Sequence, residues 1–321
     1  MRRREFIASV GMGIAWALGA SAQQTKRVGI LLQGGPYYSG IDGLREGLKA
    51  SGLEEGREFA FIVRDAAGDL SAIEAAARAL EREGVDLLVA FTTSVALAAQ
   101  RATVEVPIVF SVSSDPVGVG LIESIPRPGG RLTGVHNINT DLTGKRLEIM
   151  RELVPSVRRV LTFYNPGNAS AVLSVQLARE AAQKLGIDLV ERHVSTTEQV
   201  RDQLNALRAG EAEAYFFVSD AMVNSQETAI VERATVLRIP TIGPYAEAVR
   251  RGALVGYGIS YRELGRGAAG YVARILAGTS PRELPVEAVN RPALAVNFRT
   301  AKTLGLTIPP TLLAGADEVI E

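Results

Sequence analysis

The sequence predicts an α/β protein made of two similar lobes, each built on a parallel sheet. Short apolar runs alternate with helical segments of about 10–15 residues, which is the pattern of strands joined by crossover helices. The pattern over residues 27–137 is repeated over residues 159–257. With 321 residues, the chain is long enough for two domains, each with its own core.

The first predicted lobe is centred on the strand–helix–strand unit of residues 85–120. Its first strand is a short, mostly apolar run, as expected for a strand buried on both faces of a sheet. Gly52 and Gly84 follow two of the helical segments, at the position where a helix typically ends. The predicted strands are 28–32, 59–63, 85–91, 106–112 and a short edge strand at 132–135, and the predicted helices are 41–51, 70–83 and 95–102.

The second predicted lobe follows a helix at 140–153, beyond which lies Pro155. Gly186 closes its longest helical segment. The predicted strands are 160–164, 188–193, 214–218, 240–242 and 253–256, and the predicted helices are 171–185, 197–209, 225–237 and 262–276.

The first 22 residues have the composition of an export signal. Three arginines precede a mostly apolar stretch, and Ala20-Ser21-Ala22 fits a cleavage site before Gln23. The general and twin-arginine export routes both remain open. Because the chain has no cysteine, it has no disulfide and no lipid-modified anchor. We therefore expect a soluble mature protein in the periplasm.

Charge and motifs argue against several function classes. Basic and acidic residues are equal at 35 each, so no nucleic-acid partner is predicted. The only two histidines, His136 and His193, lie far apart in the sequence, and there is no phosphate loop or nucleophile elbow. We predict no catalytic residue, no metal site and no cofactor. The alternative is an acid–base pair formed by Asp115 and Asp220.

Polar residues follow several predicted strands, and they define the candidate ligand site. In an open parallel sheet, ligands bind outside the carboxyl ends of the strands. Hydroxyl and amide side chains there can also cap helices or form turns, so each has a structural reading beside the functional one. The candidates in these loops are Thr92, Thr93, Ser94, Ser113, Asp115, Asn165, Asn168, Ser170 and Asp220.

Aromatic residues near the same edge are further candidates. Tyr37 and Tyr38 lie in the first strand–helix loop, and either ring could cover an aromatic or cationic ligand or pack on the helix. Tyr245 and Tyr257 are similar candidates in the second lobe.

Several stretches resemble one protein family, the ABC transporter substrate-binding proteins of the tryptophan/tyrosine type. The resemblance covers essentially the whole predicted mature chain. Its most specific part is the run from Asn297-Phe298-Arg299-Thr300 to Ile308-Pro309-Pro310. The other matching stretches are 107–117 with Asp115-Pro116-Val117, 127–134 with Arg127-Pro128-Gly129-Gly130, 261–266 and 316–320.

The resemblance implies a type I periplasmic-binding-protein fold, with two Rossmann-like lobes and the ligand cleft between them. Three crossings would join the lobes, near residues 138–142, 257–261 and 285–290. The N-terminal lobe would comprise 23–140 and 259–286, and the C-terminal lobe 141–258 and 287–321.

The resemblance also assigns roles to some candidates. Thr93 matches the family's threonine after the third strand, Asp115 its Asp-Pro, and Asn165 and Asp220 lie in its facing loops. The chain departs from the pattern at Phe91-Thr92, where the family usually has glycines. It departs again before Tyr261, where an acidic residue is often found. We expect both departures to change the lining of the cleft.

These observations predict a monomeric periplasmic binding protein that delivers a small ligand to an ABC transporter permease. Thr93 and nearby amides would hold a carboxylate, Asp115 or Asp220 an ammonium group, and Tyr37 or Tyr38 an apolar body. An extracytoplasmic sensor module that presents ligand to a receptor and a secreted hydrolase or lyase are the alternatives. A DNA-binding repressor of the same fold is excluded, because the predicted export signal stands where its DNA-binding segment would be.

Overall fold

The computed structural model describes residues 25–321, so the predicted export signal at residues 1–22 lies outside the described residues. Thirteen strands and eleven helices are formed within this part of the chain. The strands are β1 Lys26–Leu32, β2 Phe59–Asp65, β3 Leu87–Phe91, β4 Ile108–Val112, β5 Leu132–His136, β6 Arg159–Tyr164, β7 Asp188–His193, β8 Ala214–Phe216, β9 Thr241–Gly243, β10 Val255–Gly258, β11 Glu287–Ala288, β12 Ala293–Asn297 and β13 Glu318–Ile320.

The helices fall between the strands, as the alternating pattern predicts. They are α1 Tyr38–Ala50, α2 Leu70–Arg82, α3 Thr93–Ala102, α4 Thr143–Leu153, α5 Ala169–Leu185, α6 Thr197–Ala206, α7 Ala221–Ser225, α8 Glu227–Val236, α9 Tyr261–Leu276, α10 Phe298–Leu304 and α11 Pro310–Ala314. Within the described residues, no helix is both long and apolar enough to cross a membrane.

The strands form two sheets, which confirms the prediction of two α/β lobes. The first sheet has the order β11-β5-β4-β3-β1-β2, and all its pairs are parallel. The second has the order β13-β12-β10-β9-β8-β6-β7. It is mostly parallel, but β10 and β12 run antiparallel, which the repeated pattern did not predict. After α9, the chain re-enters the second sheet at β12, which runs in the direction opposite to β10.

Two predicted elements are wrong in detail. The strand at 132–135 is not at the edge of its sheet, because Glu287 and Ala288 pair with Val135 and His136. The predicted helix 225–237 corresponds to α8, and the short helix α7, which ends directly before it, was not predicted. Shifts of two or three residues affect the starts of four other helices, since α1 begins at Tyr38, α3 at Thr93, α4 at Thr143 and α5 at Ala169.

The pairing of β11 also bears on the predicted lobe boundary at residue 287. Glu287 and Ala288 belong to the first sheet, and the amide of Val289 donates to the carbonyl of His136 at 2.8 Å. The strand pairing thus continues the first sheet to residue 289, and the second sheet resumes at Ala293. The remaining boundaries stay predictions.

Helices α1 and α9 pack unusually closely through glycines, which fixes α9 on the first sheet although it follows the second in sequence. A Cβ atom at Gly43 would lie 1.8 Å from the carbonyl oxygen of Arg262, and one at Gly265 would lie 1.9 Å from that of Gly40. Only a residue without a side chain allows this approach.

A buried polar cluster joins two of the predicted crossings. The side chain of Asn139 exchanges two hydrogen bonds with the backbone of Ile259, at 2.7 and 3.1 Å. The guanidinium of Arg146, which is completely buried, donates to the carbonyls of Asn139, Pro244 and Tyr257 at 2.7, 3.2 and 2.7 Å. Burial lowers the pKa of Arg146 to about 10. These bonds tie α4 to two of the three predicted crossings.

Candidate functional site

The carboxyl ends of the two sheets face each other across a cleft that contains two cavities. The larger one, which we call the outer chamber, has a volume of about 580 Å³. This volume lies in the usual range for small-molecule sites. The first lobe contributes Gln33, residues 68–71, Thr93, Ser94, Leu97 and Arg101, and the second contributes Asn165, residues 167–170, residues 195–198, Asp220 and Met222.

The smaller cavity, which we call the inner pocket, is lined mainly by buried residues and has a volume of about 10 Å³. This is close to the space that one water molecule needs. The inner pocket is lined by Tyr37, Thr92, Thr93, Ser94, Ser113, Asn168, Ser170, Ser219, Ala221, Asn224 and Tyr261, none of which carries a formal charge.

Thr93, Ser94, Asn168 and Ser170 line both cavities. The first two begin α3 in the first lobe, and the last two cap and begin α5 in the second. The starts of two helices from opposite lobes therefore meet where the cavities join. We call these four residues the shared strip.

The start of α3 is held in a strained conformation. Thr92 has a φ of 87°, a left-handed backbone that normally requires glycine, and its hydroxyl accepts a hydrogen bond from the amide of Val95 at 3.4 Å. The hydroxyls of Thr93 and Ser114 lie 2.8 Å apart, and Ser94 donates to Gln33 at 3.2 Å. These contacts fix the hydroxyls at the start of α3, whose first amides have no partner within the helix.

The start of α5 is built from asparagines. The side chain of Asn168 accepts from the amide of Ser170 at 3.1 Å, and that of Asn165 accepts from the amide of Gly167 at 2.8 Å. Both residues therefore have the predicted turn or cap role and also line the outer chamber.

Asp220 anchors the second lobe's side of the cleft. One carboxylate oxygen accepts from the amides of Met222 and Val223 at 3.0 and 3.2 Å, and the other accepts from the amide of Asn165 at 2.7 Å. Burial raises the pKa of Asp220 to about 6, although these amide hydrogen bonds act in the opposite direction. The carboxylate thus joins the start of α7 to the loop before α5.

Three buried polar atoms of the inner pocket have no hydrogen-bond partner among the described residues. They are Ser170 Oγ, Ser219 Oγ and Asn224 Oδ1. A buried polar group without a partner costs about 1–3 kcal/mol, so native proteins usually satisfy such groups with protein, water or ligand. The pocket is therefore built to bind something polar.

Not every predicted site residue lies at these cavities. Tyr38 is 45% exposed at the start of α1, and its hydroxyl donates to Asp65 at 2.8 Å. The carboxylate of Asp115 is exposed and accepts from the amide of Val117 at 3.0 Å, so it closes its own turn. Tyr245 is buried against the ring of Tyr261. These three residues line neither cavity.

Tyr257, in β10, also lines neither cavity, but the other predicted residues are brought together. Tyr37, Thr92 and Ser113 line the inner pocket, Asn165 and Asp220 line the outer chamber, and the four residues of the shared strip line both. Within the departure at Phe91-Thr92, Thr92 lines the inner pocket. Phe91, in contrast, is fully buried, fills the space left by Gly40 and lines neither cavity.

The sequence prediction did not include several lining residues. Gln33 and residues 68–71 follow β1 and β2, residues 195–198 follow β7, and Asn224 lies in α7. A signal was present for two of these segments, because Asp69 and Thr196 are typical N-cap residues directly before a helix. Asn224 gave no such signal, since the helix was predicted to begin after it.

The two histidines of the chain line neither cavity. His193 shares a hydrogen bond of 2.8 Å with the hydroxyl of Tyr164 at the ends of β6 and β7. Burial lowers the pKa of His136, and the nearby carboxylate of Asp115 partly offsets this effect. Residues 25–321 contain no group of three or more potential metal-ligating side chains.

Comparison with known proteins identifies the family. The model of the family described as "ABC transporter substrate binding protein" matches residues 27–320. The chain belongs to this family. The family prediction made from the sequence is therefore confirmed.

Individual relatives support the same assignment. The chain is 27% identical to a "Tyrosine-binding protein" of Clostridioides difficile (strain R20291) over 265 residues, which cover 82% of this chain and 76% of the relative. Among solved structures, a conserved domain protein from Vibrio cholerae is 32% identical with a TM-score of 0.83, over 92% of this chain and all of that one.

A third comparison gives a ligand-bound relative. The structure of an ABC domain from Streptococcus pneumoniae in complex with L-Trp is 24% identical to this substrate-binding protein, with a TM-score of 0.81 over 92% of this chain and all of that one. A periplasmic binding ribose operon repressor protein from Lactobacillus acidophilus, at 15% identity and a TM-score of 0.53, shares the fold. The predicted type I periplasmic-binding-protein fold is thus confirmed.

Proposed function

We propose that this chain is the periplasmic solute-binding component of an ABC importer, which binds an amino acid between its lobes and delivers it to a permease. The observation that carries the proposal is the meeting of the starts of α3 and α5, from opposite lobes, around unpartnered polar atoms. A ligand that contacts both helix starts would bind the closed arrangement more tightly than an open one and so favour closure.

The caps of the helices indicate where the ligand's carboxylate would bind. Helices α2 and α7 start at the carboxylates of Asp69 and Asp220, and α6 has Glu198 in its first turn. In contrast, α3 and α5 are capped by the neutral side chains of Thr92 and Asn168. Helix starts attract anions, and a carboxylate cap already supplies one. We place the ligand carboxylate at the shared strip.

The outer chamber would accommodate the rest of an amino acid. Its carboxylates, including Asp69 and Asp220, favour an ammonium group. Asp220 replaces Asp115 as the preferred partner, because Asp115 lines neither cavity. The apolar side chains of Leu70, Leu97 and Met222 line the same chamber and would contact a large apolar side chain.

The relatives narrow the ligand class. One is named for tyrosine binding and another is solved with L-Trp, so an aromatic amino acid is the first candidate. We further propose that residues 1–22 are removed on export and that the mature chain acts as a monomer. The hydrolase alternative gains no support, because Asp115 and Asp220 do not share a cavity.

A thermal-shift screen tests this function. The mature chain from Gln23 would be heated with amino acids, nucleosides and sugars, each at about 100 times a micromolar dissociation constant. Binding should then add about 2.7 kcal/mol and raise the melting temperature by several degrees. We expect the shift with an aromatic amino acid and not with sugars.

Matched variants locate the site. Thr93→Val removes a hydroxyl of the shared strip and should reduce the shift, whereas Thr303→Val changes an exposed threonine of α10 and should not. A shift with sugars or nucleosides alone, or an equal shift in both variants, would contradict the proposal.

A further inference from the structure

A buried group of acidic and phenolic oxygens lies behind the cleft, outside both cavities. Glu227, at the start of α8, is 1% exposed, and neither of its carboxylate oxygens has a hydrogen-bond partner among the described residues. The Tyr245 hydroxyl and one oxygen of Glu247 are also buried without a partner. Four unpartnered oxygens within one buried cluster are exceptional, because native proteins satisfy nearly all such atoms.

The charges of this cluster do not balance. Arg251 Nη1 lies 3.5 Å from Glu227 Oε2 and is the cation that faces it. Arg250 pairs with Glu318 at 2.9 Å, and its charge also interacts with that of Glu247. With Glu318 counted, three carboxylates share two guanidinium groups, so this group of side chains carries one surplus negative charge when all are ionised. Binding of one proton neutralises that charge, and this costs less free energy than keeping the ionised carboxylate buried.

The titratable groups that act on Glu227 come from three segments around α8. They are Tyr245 before the turn at Ala246–Arg251, Glu247 and Arg251 within that turn, and Tyr261 at the start of α9. Burial raises the pKa of Glu227 to about 7, the nearby Tyr245 hydroxyl and Arg251 guanidinium lower it, and the Glu247 charge raises it. The other elements packed on α8 add no titratable group that acts on Glu227 within the described part of the chain.

The same cluster spans the joint between the lobes. Ser260, the cap of α9 on the first lobe, donates a hydrogen bond to Glu247 of the second. The Tyr245 ring packs edge-on against Tyr261 at a centroid distance of 5.0 Å, and Tyr261 packs in the same way against Tyr37 at 4.7 Å. Tyr37 and Tyr261 line the inner pocket, so continuous contacts connect the pocket with the carboxylates.

We propose that Glu227 and Glu247 form a proton-binding site that couples closure of the lobes to pH. Opening would separate Ser260 and Tyr261 from Glu247 and Tyr245 and admit water to the carboxylates. Hydrated carboxylates hold a proton less tightly, so a proton bound at Glu227 favours the closed arrangement. By linkage, closure and the ligand affinity that depends on it increase as the pH falls through neutrality. The consequence for affinity rests on the proposed function, whereas the effect on closure does not.

The distance between the lobes tests this coupling without any ligand. Since the chain has no native cysteine, Val104→Cys and Val236→Cys introduce two unique labelling sites, at positions that are 81% and 73% exposed on opposite lobes. Spin labels there report the distance distribution by pulsed electron resonance. Between pH 8 and pH 6, the ratio of closed to open protein should rise by about fivefold when opening lowers the pKa of Glu227 by one unit, and by about tenfold at most, because the pKa in the closed arrangement is about 7.

Three variants separate the outcomes. Glu227→Gln imitates the protonated state, so it should stay mainly closed at both pH values, whereas Glu232→Gln, an exposed position of the same helix, should behave like the parent protein. Should Glu227→Gln not fold, Glu247→Gln keeps the acceptor for Ser260 and should move the transition to lower pH. A distance distribution that does not change with pH, a Glu227→Gln protein that still responds, or an unshifted Glu247→Gln transition overturns the proposal. Because the distance measurement uses no ligand, its result can be interpreted even when the ligand screen fails.

Discussion

Asp220 accepts a hydrogen bond from the amide of Asn165, a residue 55 positions earlier in the chain, at 2.7 Å. This contact joins the loops after β6 and β8, and both loops line the outer chamber. The second lobe's side of the cleft is therefore fixed by one buried carboxylate.

Asp220→Asn should destabilise the protein. An asparagine presents one acceptor and one donor where Asp220 meets three amide donors, so at least one buried N–H group loses its partner. The expected loss is about 1–3 kcal/mol in the free energy of unfolding, measured by urea denaturation. Asp202→Asn, an exposed position on α6, should change it by less than about 0.5 kcal/mol. Equal effects of the two changes would show that the anchor is unimportant.

Glu227→Gln should flatten the pH dependence of stability. The pKa of Glu227 is raised from 4.5 to about 7 in the folded protein, so between these values the native state binds more protons than the unfolded state. The free energy of unfolding therefore falls as the pH rises through this window, and the contribution is lost above about pH 7.

In the upper part of that pH window, the decline in the free energy of unfolding comes mainly from Glu227. Asp220 has its raised pKa at about 6 and produces a similar decline only at lower pH. Urea denaturation between pH 6 and 7.5 should therefore show a decline in the parent protein and almost none in Glu227→Gln. An unchanged decline in the variant would assign the effect to another group.

Substitution by alanine should change the stability of the protein in opposite directions at one glycine of α1 and one glycine of α9. Gly43→Ala places a methyl group against the carbonyl of Arg262 and should destabilise the protein by about 1–3 kcal/mol, because the helices must move apart. Gly270→Ala is exposed on α9 with no atom within 4 Å of its Cβ, so it should stabilise by about 0.5–1 kcal/mol through helix propensity. Thermal denaturation of both variants checks the difference, and a tolerated Gly43→Ala would contradict the close helix packing.

The sequence predicted the general position of the site because that position follows from topology. Parallel strands bring their carboxyl ends to one edge, and hydroxyl or amide residues after them start helices. Thr92 and Asn168 were therefore found both as caps and as cleft residues. The family resemblance supplied the return of α9 to the first lobe, which composition does not contain.

The direction of a side chain within a loop could not be read in the same way. Asp115 and Ser113 lie in the same loop, but a hydrogen bond to Val117 holds the Asp115 carboxylate over its own turn, while Ser113 lines the inner pocket. Tyr38 missed the cleft because α1 begins at this residue and directs it towards Asp65. Asn224 was missed because the short helix α7, in which it lies, was not predicted.

Calorimetric titration with L-tyrosine and L-tryptophan, each beside its carboxamide, tests the central claim most directly. The mature chain predicted to begin at Gln23 should bind at least one of the two amino acids, with its carboxylate at the shared strip. Because the carboxamide has no negative charge to meet the starts of α3 and α5, it should bind at least about tenfold more weakly. Binding of neither amino acid, or equal binding of an amino acid and its carboxamide, would contradict the account.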